Sequence, residues 1–193
     1  MNVEKKILQS KFFFYNVFFI IILFLSACVS KPDDVPAAVK NLEKFKFATI
    51  EHPNITAPSF TLIDNKNNKI SNEALKGKMY IVQGFAPGCS SCAQEISTLN
   101  GIYNKYHSKG LEIISLDVAS SDISGALETK EKFNGGDWHW AIDTDDVAIK
   151  FRIATLESTY LIDQHGLIRY KDESLSNFDV ISKEIEKLEG QNG

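Results

Sequence analysis

Cysteine is scarce: three residues in 193 cannot staple a small disulfide scaffold, so the chain must bury an apolar core to fold. Proline and glycine are sparse too, at five and eleven, which excludes collagen-like and low-complexity classes. Positive charge is not in excess. With a formal net charge of -4 the chain offers no broad field to a phosphate backbone, and nucleic acid is excluded as a general partner. No internal repeat is apparent. What remains is a chain 44% apolar and 24% charged, the material of one globular domain with an ordinary core.

One long hydrophobic run stands apart from that domain. Lys5, Lys6 and Lys11 precede an almost unbroken apolar stretch over residues 12–25, the order of a secretory n-region and h-region. It closes on Leu25-Ser26-Ala27-Cys28, which resembles the bacterial lipoprotein box. Residues 1–27 are therefore expected to be removed as a signal peptide, and Cys28 to carry lipid. The alternative is an uncleaved signal anchor with Cys28 as an ordinary buried thiol. Both place the rest of the chain on the extracytoplasmic face of the cell membrane, lipid-anchored in the first case, and periplasmic if the cell is Gram-negative. Residues 28–52 carry prolines and charges without a sustained apolar period and read as a linker. Residues 53–190 are expected to be the folded domain.

Within that domain, residues 60–64 and 69–71 are short extended pieces around Asn65, Asn67 and Asn68. Asn tolerates the left-handed backbone of a tight turn, so these pieces predict an N-terminal β-hairpin. Residues 79–85 and 111–118 are β-branched and apolar runs suited to buried strands. Between them Cys92, Ile96, Leu99 and Tyr103, with Ile102 and Tyr106, recur at the spacing of one helical face, and Gly110 marks its end. Strand, helix, strand implies a parallel pair with a right-handed crossover. Further helices are expected at 124–134 and 145–151, flanking a strand near 138–142. Runs 160–163 and 167–170 around Gln164-His165-Gly166 predict a second hairpin. Phe178, Ile181, Ile185 and Leu188 form one face of a last helix, capped by Ser176 or Asn177. A parallel half followed by an antiparallel half, with helices on both faces, predicts an α/β sandwich around a mixed central sheet.

Cys89-Ser90-Ser91-Cys92 falls where the first buried strand meets the amphipathic helix. Free N–H groups and the positive dipole end of a helix start favour a thiolate on Cys89, which makes it the candidate nucleophile. Cys92, one turn inside on the apolar face, is the candidate resolving thiol. With no proline between the cysteines, the N–H groups of Ser91 and Cys92 are both expected to face the Cys89 sulfur. A zinc site would need two further ligands, and only His52, His107, His139 and His165 remain, scattered along the chain. No metal and no other cofactor is expected. A static disulfide or two inert core thiols is the structural alternative.

Four segments in this order resemble TlpA/ResA-type proteins of the thioredoxin superfamily. They are Ala57-Pro58-Ser59-Phe60, Leu75-Lys76-Gly77-Lys78, residues 84–95 around the two cysteines, and Thr159-Tyr160-Leu161-Ile162-Asp163-Gln164-His165-Gly166. The resemblance implies a thioredoxin-like three-layer α/β/α sandwich with an N-terminal hairpin extension. It implies an extracytoplasmic thiol-disulfide oxidoreductase, a reductant with Cys89 and Cys92 as its redox-active disulfide. Its substrates would be protein disulfides or dithiols, apocytochrome c among them, and its electron donor a membrane thiol carrier of the DsbD/CcdA type. Glu95 would be a buried proton acceptor beneath Cys92, the alternative being a carboxylate that merely complements the helix dipole. Pro87, Gly88 and residue 157 would form the substrate-docking surface.

Three departures bear on mechanism. Gln83 stands six residues before Cys89, where thioredoxin has a buried Asp, so proton transfer falls to another group. Glu157 takes the place of a cis-proline, and because a cis Leu156–Glu157 bond would cost about 3 kcal/mol, a trans bond or a rearranged loop is expected there. Its carboxylate either lies close enough to Cys89 to oppose thiolate formation or points into solvent. The segment before Cys89 lacks the usual tryptophan. Two rival functions remain. A peroxiredoxin-like peroxidase shares the Ala57-Pro58-Ser59-Phe60 segment, but Ala86 stands three residues before Cys89, where that branch has a threonine. A copper chaperone would use the two cysteines as Cu(I) ligands. Elsewhere, His139 between Trp138 and Trp140 reads as a packed or surface residue, and Asp143-Thr144-Asp145-Asp146 as a helix cap.

Overall fold

The computed structural model describes residues 50–190. The signal segment, Cys28 and the linker up to residue 49 lie outside the described residues. The two runs expected at the centre of the sheet form its centre. Strand β5 (Tyr80–Phe85) is buried along its whole length and pairs in parallel with β6 (Glu112–Asp117), which pairs in parallel with β7 (His139–Ile142). On its other side β5 pairs antiparallel with β8 (Thr159–Ile162), and β8 with β9 (Leu167–Asp172). Two-residue pieces, β1 (Ile50–Glu51) and β2 (Ile55–Thr56), add antiparallel to the outer side of β9. The ladder thus takes in two residues inside the segment read as linker. Pairs this short carry no hydrophobic period, and the open N–H and C=O groups of an edge strand are what recruit them.

The pleat sorts the side chains of β5 between two layers. Ile81 and Phe85 pack against α1 (Ser90–Tyr106), α4 (Phe178–Gly190) and Ala126 of α2 (Ser124–Lys132), while Tyr80 and Val82 face the other way. That second face is covered by the hairpin of β3 (Thr61–Ile63) and β4 (Lys69–Ser71), through Leu62 and Ile70, and by α3 (Val147–Phe151). The hairpin turns through Asn67 at φ 64, as its Asn-rich sequence requires. Gly110, at φ 95 after a 3₁₀ turn His107–Lys109, closes the α1 segment. Asp143 caps α3 by accepting the N–H groups of Val147 and Ala148 at 2.7 and 2.9 Å. Asn177 takes the cap of α4, receiving the Asp179 N–H at 2.8 Å. Phe178, expected on the buried face of α4, instead sits at the rim, 36% exposed, with its ring against Gly101 of α1. No helix among the described residues is long and apolar enough to cross a membrane.

The hairpin is clamped to the sheet by charge. His139 Nδ1 lies 2.7 Å from Asp64 Oδ2 and Nε2 lies 3.6 Å from Glu112 Oε2. The Glu112 hydrogen bond holds the imidazole above its ordinary value against the pull of burial. In return His139, then Lys78, bring Glu112 down to about 2. Burial pushes Asp64 up, but its bonds from His139, Asn68 and Lys66 outweigh this and bring it below the usual carboxylate range. By linkage, the His139 contribution is complete below the free imidazole value of 6.5 and is lost as pH rises through the raised value. The carboxylate contributions are present above their free values of 3.8 and 4.5 and are lost as pH falls through the depressed ones. The clamp is therefore tightest near pH 5 to 6. Urea unfolding at pH 5.5 and 8.5 should show the wild type losing stability on the alkaline side and His139→Gln losing less of it. Equal slopes would remove the clamp from the stability of the domain.

Candidate active site

Phe85 ends β5 inside the core, and the turn that follows carries the chain back over the sheet. The Cys89 N–H donates to Ala86 O at 3.2 Å, and Gly88 sits at φ 83, a left-handed backbone that a side chain would strain. The turn delivers Cys89 to the N-cap of α1, where its Sγ accepts the N–H of Cys92 at 3.2 Å. Cys89 and Cys92 are joined as a disulfide, their Cα atoms 5.4 Å apart. They differ in access: Cys89 is half-buried between exposed Pro87 and Gly88 on one side and Ser90 on the other, and Cys92 is 0% exposed. Ser91 departs from expectation. Only the N–H of Cys92 is bonded to the Cys89 sulfur among the described contacts, and Ser91 brings its hydroxyl instead, 3.3 Å from Sγ.

Gln83 lies beneath, fully buried, in a neutral network: its Oε1 accepts the Ser115 hydroxyl at 3.2 Å, and Ser115 Oγ accepts Trp138 Nε1–H at 3.0 Å. Its Nε2 donates to Gly84 O and, at 3.5 Å, to Leu156 O, the same carbonyl that Cys92 Sγ approaches to 3.9 Å. An amide so bound has no proton to exchange at neutral pH.

Glu95 follows Cys92 by three residues on the same buried face and is itself 0% exposed, so it is not a carboxylate decorating the start of the helix. Its Oε1 accepts the Thr159 hydroxyl at 2.7 Å and its Oε2 the Ser176 N–H at 2.8 Å. Burial pushes its carboxyl above the ordinary value, and these two hydrogen bonds only partly offset the push. Ser176, a candidate helix cap by its place in the sequence, instead gives its N–H to this carboxylate 81 positions away, a contact no local pattern announces.

The loop before β8 carries the largest surprise. All described peptide bonds are trans, so Leu156–Glu157 is trans as its chemistry requires. The loop is nonetheless tightly held: Ser158 N–H donates to Thr155 O at 3.1 Å, Gly84 N–H to Ser158 O at 3.1 Å, and the Thr155 hydroxyl to Glu173 O at 2.6 Å. Glu157 is half-buried and turned inward, its carboxylate accepting the hydroxyl of Ser91. Pro87 and Gly88 precede Cys89 directly and Glu157 meets it through Ser91, while half-buried Cys89 lies one helical turn from buried Cys92 and two from buried Glu95. Among the described residues no group of three His, Cys, Asp or Glu side chains is placed to hold a metal ion.

Comparison with known proteins agrees with this geometry. The AhpC/TSA family model matches residues 53–171, more than half of the chain. Thiol-disulfide oxidoreductase ResA of Bacillus anthracis is 33% identical over 113 residues, 58% of this chain and 64% of that protein. The chain therefore spans just under two thirds of the length of such curated relatives. The solved thioredoxin domain of a thiol-disulfide oxidoreductase from Bacteroides vulgatus superposes with TM-score 0.60 at 26% identity, covering 67% of this chain and 95% of that one. A thiol:disulfide interchange protein from Chlorobium tepidum superposes with TM-score 0.62 at 19% identity, covering 72% and 98%. The mixed sheet between two covering layers is the thioredoxin-like fold.

Proposed function

The chain belongs to the AhpC/TSA family, and on that premise we propose that it is a membrane-tethered, extracytoplasmic thiol-disulfide oxidoreductase that reduces disulfides in other proteins. The observation that carries this reading is the disulfide between a half-exposed Cys89 at the N-cap of α1 and a fully buried Cys92. In the reduced protein the Cys89 thiolate attacks one sulfur of a substrate disulfide, the other sulfur leaves as a thiolate, and a mixed disulfide forms. Cys92 then yields its proton to Glu95, and its thiolate attacks the Cys89 sulfur. The second substrate sulfur is released, and two electrons have passed to the substrate. Residues three apart on a helix bring their Cβ atoms to about 5–6 Å, close enough for Glu95 to serve Cys92, and burial, by holding the carboxyl above its usual range, makes it a stronger proton acceptor than an exposed glutamate.

Tethering rests on the apolar run closing at Leu25-Ser26-Ala27-Cys28, with residues 1–27 a signal peptide, Cys28 the lipidated terminus and the next two dozen residues a linker. A protein so placed needs electrons delivered across the membrane, which fits a thiol carrier of the DsbD/CcdA type as donor and cysteine proteins such as apocytochrome c as acceptors. Peroxide reduction fits less well, because Ala86 offers no hydroxyl three residues before Cys89.

Insulin reduction by the full-length protein with dithiothreitol tests the reading. Acceleration of insulin precipitation is expected, together with a reduction potential nearer the thioredoxin value of about -270 mV than the about -120 mV of a strong oxidant. No acceleration, with stoichiometric consumption of hydrogen peroxide in its place, would overturn it in favour of a peroxidase.

A further inference from the structure

Resting on the oxidoreductase reading, we propose that Glu157 is a positioning residue that limits how much of Cys89 is thiolate, by holding the single proton of the Ser91 hydroxyl away from the sulfur. The Ser91 hydroxyl donates to the Glu157 carboxylate while its oxygen stands 3.3 Å from Cys89 Sγ. A hydroxyl has one proton to give, so the sulfur meets lone pairs. A thiol suits that arrangement, because its S–H donates to Ser91 and the chain from sulfur through hydroxyl to carboxylate is fully satisfied. A thiolate does not: it faces an oxygen lone pair with a second anion behind it. The carboxylate keeps the serine proton, being the stronger acceptor. Opposing this, the Cys92 N–H at 3.2 Å and the positive end of α1 favour the thiolate.

The carboxylate is fixed rather than wandering, because the flanking Thr155 and Ser158 bonds and the Gly84 N–H pin its loop to β5. The charged groups on the nearer stretches of the elements that meet around the sulfur are Glu95 on α1, Arg152 at the start of the same loop, Asp117 at the end of β6 and Asp122 between β6 and α2. Of these, none is hydrogen-bonded into contact with Cys89 among the described residues, and Glu95 is already engaged with Thr159 and Ser176. The consequence for electron flow has a definite sign. A less stabilised thiolate makes the dithiol less favourable relative to the disulfide, which biases the couple toward giving electrons, and each thiolate that does form is a better nucleophile. Glu157 thereby serves as a device for reduction.

The test follows the rate of iodoacetamide reaction at Cys89 against pH in the reduced full-length protein, read on the Cys89 peptide by mass spectrometry, with a thermal melt of each variant. In Glu157→Gln the side-chain amide donates to Ser91 and frees its hydroxyl for the sulfur. The midpoint is expected to fall by about one pH unit, a tenfold rise in thiolate below it. The equilibrium with glutathione should move about tenfold toward the dithiol, roughly 30 mV. Glu157→Ala should move both in the same direction. In a Ser91→Ala background the effect of Glu157→Gln should shrink by most of its size. An unchanged or raised midpoint in both Glu157 variants overturns the proposal. An undiminished fall without Ser91 overturns the role of the hydroxyl and leaves only a through-space charge. Alkylation needs no substrate, so failure of the wild type to reduce insulin would sink the oxidoreductase reading while leaving this measurement intact.

Discussion

Cys92→Ala is expected to abolish turnover and to trap partner proteins as mixed disulfides on Cys89. The proposed division of labour follows from how the helix places the two sulfurs: Cys89 is half-exposed at the N-cap, and Cys92 is sealed under the Leu156 carbonyl. With Cys92 present, the mixed disulfide is resolved by a thiol bound to the same turn, at an effective concentration far beyond any solution thiol. Loss of that advantage should slow insulin reduction by about a thousandfold or more, since intramolecular attack by well-oriented groups reaches effective molarities of about 10⁵ M and above. The substitution removes one small buried atom, at a cost of about 1 kcal/mol, so the variant should fold. Non-reducing electrophoresis should show adducts in Cys92→Ala and none in Cys89→Ser. Normal turnover by Cys92→Ala, with nothing captured, would mean that the pair does not act by exchange.

Glu95→Gln should separate proton transfer from architecture. Glutamine has nearly the same shape and keeps both partners: its carbonyl can accept the Ser176 N–H, and its amide can donate to a rotated Thr159 hydroxyl. What it lacks is a titratable proton. Capture of substrate by Cys89 should be unaffected, while release of the mixed disulfide slows by about a hundredfold near neutral pH, the ordinary yield of one positioned base. Stability should move the other way. The folded Glu95 carboxyl is held above its free value of 4.5, so the folded state disfavours the ionised form, and stability declines as pH rises from there through the raised value. Glu95→Gln escapes that decline and should be at least as stable as the wild type at pH 7 and above. Glu95→Ala, by contrast, strands a buried hydroxyl and a buried N–H and should lose about 1–3 kcal/mol. Release at the wild-type rate in Glu95→Gln would assign the carboxyl a purely structural part.

Much of this site is legible in the amino-acid sequence. The two-residue spacing of Cys89 and Cys92 at a strand-to-helix junction is a local pattern, and so is the apolar face of α1 that buries Cys92 and Glu95 together. The turn chemistry at Asn67 and Gly110 is equally local, each set by one residue's tolerance of positive φ. Phe178 departs from its expected place because helical periodicity ranks faces by hydrophobicity alone, and the close approach of Gly101 decides how far that ring penetrates. The edge strands β1 and β2 escape a sequence reading for a different reason: their pairing partner is β9, more than a hundred residues on.

The sequence by itself determined the chemistry available: which two sulfurs, which carboxyl on the apolar helix face, and a glutamate at position 157. Only the tertiary structure decided how that chemistry is wired. Glu157 reaches Ser91 across 66 positions and Glu95 reaches Ser176 across 81, while Asp64 and Glu112 meet at His139. Periodicity reports which face of an element is apolar, whereas a hydrogen bond between distant side chains depends on the register in which whole elements dock. That register is set by the packing of the two layers on the sheet, and no run of neighbouring residues encodes it.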